Sequence, residues 1–444
     1  MAAQVWRLAW PAITHMLLLT LVFLVGRVMI GRYSTTSLAA MQICGSLTWA
    51  VHSIFTASSA GTLAVVARCV GAGDRAGAAA AARASLVFAL VVGFAIIVPL
   101  LVADGALLAL LFPEAGAEVI AQANGYLQIV LPALPLGFAE AVAAASLQGA
   151  GDTKTPLVAA MIGNLVNVAL SATLIFGRFG LPELGLRGAA IGAAATMAIE
   201  GALLVAALLS RRSPLPLRRA PGAPRAEVGL AALARVLRIA GPAFAERVVY
   251  QAGYLGFVAI IGLLGASAMA ANQGLISVEA ICFLSADGFG IAAGALVAQK
   301  LGAGRPAEAS RAGAVAALMA VLVLSSFGLV FATAPRTLMS AFSSDPAIVA
   351  LGSRALHVAA VAQPFMAFSM VMGMALRGAG ATRTVLVVTL ISAFAMRLGA
   401  TWLFAVHLGY GLIGVWMGST ADWICRSALL GVAWVSGRWR RARV

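Results

Sequence analysis

The sequence contains the same outline twice. Residues 62–73, TLAVVARCVGAG, return as residues 293–304, AGALVAQKLGAG, at a shift of 231 (293 − 62). Arg7, Pro11 and Gln42 recur at that same distance as Arg238, Pro242 and Gln273. LQGAGDTKTP at 147–156 comes back as LRGAGATRTV at 376–385, shifted by 229 (376 − 147). GLRGAAIG at 185 comes back as GLIGVWMG at 411, shifted by 226 (411 − 185). A near-constant offset over half a chain marks two copies of one structural unit. In a hydrophobic chain such repeats point to a secondary transporter, in which one half rocks against the other around a central site.

Composition names the solvent. The chain is 62% hydrophobic and 10% charged, against roughly 45–50% and about 25% in soluble domains. Apolar runs near the length of about 20 residues needed to cross a bilayer fall at 8–30, 41–67, 84–112, 125–148, 156–177 and 187–210. They resume at 234–262, 272–299, 310–332, 348–378, 384–407 and 411–436. The expected fold is therefore an all-α polytopic membrane protein with twelve transmembrane helices in two pseudo-symmetric six-helix bundles. An even number of spans per copy keeps both copies in one orientation. The expected domains are residues 1–210 and 230–444, joined by a linker at 211–229, RRSPLPLRRAPGAPRAEVG, whose prolines and charges cannot continue a membrane helix.

The formal net charge of +15 does not imply nucleic-acid binding. Arg and Lys concentrate in alternate loops, in the linker and in the tail at Arg438, Arg440, Arg441 and Arg443, as the positive-inside rule expects. Both termini and the linker are thus expected in the cytoplasm. The first apolar run has no cleavage-site pattern and reads as span one. Cys44, Cys69, Cys282 and Cys425 lack paired spacing, so neither a zinc site nor a disulfide framework is expected. A phosphate-binding G-x-x-x-x-G-K-[ST] loop and an H-E-x-x-H string are both missing, and His15, His52, His357 and His407 are far apart in sequence. The expectation is a non-enzyme, without resident metal or organic cofactor.

Ionisable residues inside spans carry the functional signal, because each costs roughly 2.5–3.5 kcal/mol at the bilayer centre on insertion scales unless it faces a polar interior. Six acids fall in spans: Glu140, Glu200, Glu246, Glu279, Asp287 and Asp422. Glu246, Tyr250 and Gly253 share one helical face, and Gln251, Tyr254, Asn272 and Gln273 lie close in sequence as neutral hydrogen-bonding groups. Glu279 and Asp287 are eight residues apart, about 12 Å along a helix axis and broadly on one side. Asp422 and Arg426 form an i,i+4 pair that Arg397 can join, which reads as a structural ion pair between the last two spans. Glu140 and Glu200 have no evident partners in the sequence.

The paired strings A-R-C-V-G-A-G-D-R and Q-K-L-G-A-G-R-P, the later L-Q-G-A-G-D-T and L-R-G-A-G-A-T, and the P-A-F-A-E opening of span seven resemble the multidrug and toxic compound extrusion family over essentially the full chain. That resemblance implies a V-shaped pair of bundles and export of small cationic or amphipathic compounds in exchange for inward H⁺ or Na⁺. It also implies a monomer in the bacterial plasma (inner) membrane, with the lipid bilayer as its other partner. By the same resemblance Glu246 takes the cation-coupling or substrate-cation role of the span-seven acid, and Glu279 that of the span-eight acid; Asp287 joins them on its face.

The first half departs from the family pattern. Gly26 stands where many members place Asp in span one, and Ser171 replaces the acid of N-x-x-x-D in span five. Asn164, Asn167 and Ser171 still share a face, and His15 occupies the repeat position of Glu246 (246 − 15 = 231). Coupling is therefore expected in the second half only, with His15, Asn164 and Asn167 as neutral cavity groups. The rival reading is a lipid-linked oligosaccharide flippase of the same wider superfamily, which would need a cavity rich in Arg. Arg27, Arg247 and Arg397 inside spans, set against six acids, favour a cation cavity.

Overall fold

The computed structural model describes residues 1–56, 59–112, 116–210, 213–215, 217 and 227–442. All regular secondary structure among them is helical. The first copy comprises α1 (Ala2–Tyr33), α2 (Thr35–Thr56), α3 (Ser59–Gly71), α4 (Arg75–Leu111), α5 (Ala117–Val130), α6 (Leu134–Gly149), α7 (Lys154–Ile175) and α8 (Leu186–Leu209). The second comprises α9 (Glu227–Gly262), α10 (Ala266–Gly302), α11 (Pro306–Thr333), the short α12 (Pro335–Ser340), α13 (Pro346–Gly378), α14 (Thr382–Ile391) and α15 (Gly411–Val435). With α2 and α3 filling the second span, α5 and α6 the fourth, and α14 with its continuation to His407 the eleventh, each copy has six rods. Nine of the twelve rods are long and apolar enough to cross a membrane by length and composition alone. The other three are α2 with α3, α9 and α15. The last two carry Glu246–Arg247 and Asp422–Arg426.

The repeat is visible in the backbone. Gly73 and Gly304 end their helices at φ +77 and φ +69, and Gly151 and Gly380 do so at φ +90 and φ +88. These left-handed positions suit glycine, which has no Cβ to clash. The next residue differs between copies. Asp74 caps α4 by accepting from Gly77 N at 2.7 Å, whereas Arg305 precedes α11 without a side-chain cap and Pro306 starts the helix instead.

The glycines in these strings also do something that a turn does not require. A Cβ on Gly71 would strike the carbonyl oxygen of Gln299, and a Cβ on Gly302 would strike that of Arg68. Each glycine lies against the carbonyl three residues upstream of the other, so α3 and α10 cross backbone to backbone. The sequence suggested only helix caps here.

Contacts divide the chain into a C-terminal unit (Met1–Ile13, Ala67–Gly73, Leu237–Val444) and an N-terminal unit (Thr14–Val66, Asp74–Val236). The core of the first gathers Phe257, Phe289, Leu324, Met366, Trp416 and Trp423, and that of the second Ile97, Leu134, Phe138, Val142 and Ile175. Pro132 lies in the 3-10 turn Leu131–Ala133 that separates α5 from α6, whereas Pro364 remains inside an unbroken α13. Of the linker expected at 211–229, residues 211–212, 216 and 218–226 lie outside the described residues, with Arg211, Arg212, Arg218, Arg219 and Arg225 among them; Arg443 of the tail does too. The described part is anchored. Leu215 and Leu217 are buried, and Arg83 Nη1 donates to the Leu217 carbonyl at 2.7 Å.

Candidate functional site

Three clusters of polar side chains stand out, two in the C-terminal unit and one in the N-terminal unit. In the C-terminal unit, Glu246 on α9 is held by the last turn of α13. Arg377 Nε donates to Glu246 Oε2 at 3.0 Å and Nη2 to Oε1 at 2.5 Å, and Thr389 Oγ1 on α14 donates to Oε1 at 3.1 Å. This two-pronged pairing suits the planar guanidinium. Arg377 lies 131 residues from Glu246 along the chain, so the pairing is not a local one. The helix runs on to Gly378 and turns Arg377 inward. Asp287 on α10 lies in the electrostatic field of Arg247 and Arg377.

The second group of that unit centres on Asp422, which is 0% exposed. Arg397 Nε donates to Asp422 Oδ2 at 2.8 Å, and Arg426 Nη2 donates to Oδ1 at 3.2 Å. The rings of Tyr250, Phe257 and Trp423 surround the Arg397 guanidinium at 5.3–5.9 Å, and Arg426 also lies over Tyr250 and Trp423. The helix widens to π geometry over Ser392–Ala400 and again over Leu403–His407, and Arg397 sits in the first of these stretches. Such widened turns are rare and tend to mark functional positions. Nothing in the residue types there announces one.

Glu279, half-buried on α10, has a lighter hold. Gln363 Nε2 on α13 donates to its Oε1 at 3.5 Å, and no ion pair to Glu279 occurs among the described residues. Of the neutral groups expected nearby, Asn272 is buried and Gln273, one step further round α10, is exposed. Gln251 and Tyr254 are partly buried, and Tyr254 stacks on Phe257 with ring centroids 6.4 Å apart.

The N-terminal unit brings together three residues that the sequence left separate. His15 on α1, Glu140 on α6 and Glu200 on α8 have ligand atoms all within 4.8 Å of one another. The physical reason is the packing of α8 on α6, where Gly201 faces the Leu136 carbonyl and its neighbour Glu200 comes beside Glu140. Gly163 on α7, lacking a side chain, leaves room for the Glu200 carboxylate. Among the described residues neither carboxylate has an ion pair. Beside them, Asn164 is buried with Nδ2 unpartnered, whereas Asn167 donates to Thr196 Oγ1 at 3.0 Å and accepts from Ser171 Oγ at 3.4 Å. The N-terminal unit thus brings two acids and a histidine together.

Known proteins bear on the family and the fold. The sequence model of the MatE family matches residues 11–173 and again residues 242–403, so its two starts lie 231 residues apart (242 − 11), the shift of the repeat. A probable multidrug resistance protein NorM of Thermotoga maritima is 30% identical over 439 residues, covering 99% of this chain and 93% of the relative. Another probable NorM, from Pseudomonas putida, is 29% identical over 453 residues, covering 99% and 94%. A solved outward-facing multidrug resistance MATE family transporter of the MOP superfamily superposes with a TM-score of 0.88 at 21% identity, covering 99% of this chain and 95% of that one. With the repeat, the helices and the relatives in agreement, the chain belongs to the MatE family of multi-pass membrane transporters and is not an enzyme.

Proposed function

We propose that this transporter exports bulky amphipathic or cationic small molecules by antiport against inward H⁺ or Na⁺. The relatives' names support multidrug export. The observation that carries the cation part is the set of acids Glu246, Glu279 and Asp287 on α9 and α10 of one unit. A carboxylate can hold a drug cation when ionised and release it when a proton or Na⁺ takes its place, which is exchange in its simplest form. Within the set, Glu246 already has Arg377 as counter-ion, so Glu279 and Asp287 offer the more available charge and Glu246–Arg377 the more rigid one. Apolar walls suit the substrate's hydrocarbon, since burial yields about 25 cal/mol per Å² while a carboxylate selects the sign.

The flippase reading is disfavoured by Asp422. It occupies both Arg397 and Arg426, which would otherwise be available to a pyrophosphate. The protein works as a monomer in the bacterial plasma membrane with both termini in the cytoplasm, in keeping with the Arg-rich described tail at Arg438–Arg441.

The deciding experiment is dye flux in proteoliposomes with pH and Na⁺ gradients imposed one at a time. One gradient should drive export, and Glu279→Gln and Asp287→Asn should each lower it at least about tenfold. Export indifferent to both gradients would overturn antiport. Full export by both variants would remove the acids of α10 from the coupling role.

A further inference from the structure

We propose that His15, Glu140 and Glu200 form a binding site for one divalent transition-metal cation of the zinc class inside the N-terminal unit. Nothing in the proposed transport reading uses this site, and its three residues are far apart along the chain. Three helices, α1, α6 and α8, each contribute one donor, and the donor atoms all lie within 4.8 Å of one another. His15 and Glu200 are each only 5% exposed, and Nδ1 of His15 and Oε1 of Glu200 have no hydrogen-bond partner among the described residues. A buried polar atom without a partner is costly, and two buried carboxylates side by side without a cation are more so. The arrangement has the form of a site that a cation completes.

Charge and donor type select the ion. Two carboxylates and a neutral imidazole sum to −2, so a divalent cation neutralises the cluster and a monovalent one leaves a buried charge. An imidazole nitrogen beside carboxylate oxygens suits zinc and its neighbours, whereas Ca²⁺, Mg²⁺ and Na⁺ favour all-oxygen shells. Ligands about 2.0–2.2 Å from a tetrahedral ion stand roughly 3.4 Å apart. Binding therefore draws the donor atoms together from their observed separation of up to 4.8 Å. Three protein ligands leave the fourth position open to water or another donor.

The test uses the full-length chain in detergent, stripped with a chelator, and reads binding without transport. Co²⁺ titration should give saturable visible absorption bands at one ion per chain, and stoichiometric Zn²⁺ should displace them while millimolar Mg²⁺ or Na⁺ should not. Glu200→Gln and His15→Gln should each weaken Zn²⁺ binding at least about tenfold by calorimetry. His407→Gln, at an exposed position, should leave it unchanged. Zn²⁺ should also raise the melting temperature of the unaltered chain by mass action, a readout that does not depend on any variant folding. Absence of saturable binding to the unaltered chain overturns the proposal. Zn²⁺ binding that survives in both Glu200→Gln and His15→Gln overturns it as well, because the ion then sits elsewhere.

Discussion

The two units hold their buried acids in opposite ways. In the C-terminal unit Glu246 meets one guanidinium and Asp422 two, in each case at hydrogen-bonding distance. In the N-terminal unit Glu140 and Glu200 lie together with His15, and neither has an ion pair among the described residues. The repeat shows where the difference arises. Glu246 corresponds to His15 (246 − 15 = 231), and its partner Arg377 corresponds to Gln148 (377 − 148 = 229). An ion pair in one copy is thus a pair of neutral residues in the other. The backbone kept its glycine turns at Gly73 and Gly304 and at Gly151 and Gly380, while the charges they frame were rewritten. Two copies of one scaffold can therefore carry two kinds of cation chemistry, one balanced by arginine and one open to an added ion.

The comparison breaks most visibly at Asp422. Replacing Asp422 with Ala strands two buried guanidinium groups, which costs about 3–5 kcal/mol when one partner of a buried pair is removed. Yield and thermal stability in detergent should fall sharply. A chain that remains stable but no longer transports would move Asp422 from the scaffold to the transport machinery.

Glu246 comes next, because Arg377 keeps some access to solvent at 21% side-chain exposure. Glu246→Gln removes charge-assisted bonds whose loss costs about 1.5–3 kcal/mol. The double variant Glu246→Gln with Arg377→Gln separates the two roles. If Glu246 serves only to pair with Arg377, the double variant regains both stability and efflux. If Glu246 also couples ions, stability returns and gradient-driven efflux does not.

What the sequence made legible follows from range. Span number, repeat and helix ends rest on local patterns of hydropathy and glycine, and all could be read directly. Asp422 and Arg426 were legible as partners because four residues on a helix are neighbours in space. Contacts across helices were not. Arg377 reaches an acid 131 residues away, and the Gly-Ala-Gly string around it suggested a loop. Glu140 and Glu200 meet because α8 packs against α6, and nothing in two separate apolar spans announces that contact. The π turns around Arg397 contain no proline, and Gly399 within them does not by itself announce a widened helix. The reciprocal glycines were half-read: their turns were evident, and their crossing was hidden in the repeat. Val at Gly71 or at Gly302 should each cost about 1–3 kcal/mol through overpacking against backbone that cannot move aside. Near-equal losses of thermal stability are expected, since the two contacts are mirror copies, and a loss confined to one variant would show that the crossing is not reciprocal in solution.

The smallest effect carries the sharpest sign. In the C-terminal unit neutralising Glu246 or Asp422 leaves a guanidinium behind, so stability falls. In the N-terminal unit Glu200→Gln removes one of two adjacent buried carboxylates and leaves no cation stranded. The amide keeps the shape of the side chain and can donate to Glu140. In metal-stripped protein the variant should therefore melt at or slightly above the unaltered chain, within about 1 kcal/mol on the stabilising side. Adding Zn²⁺ should reverse the order, because only the unaltered chain then gains a ligand that binds the folded state. A metal-stripped Glu200→Gln that melts well below the unaltered chain would mean that Glu200 already has a cationic partner, and the contrast between the two units would disappear.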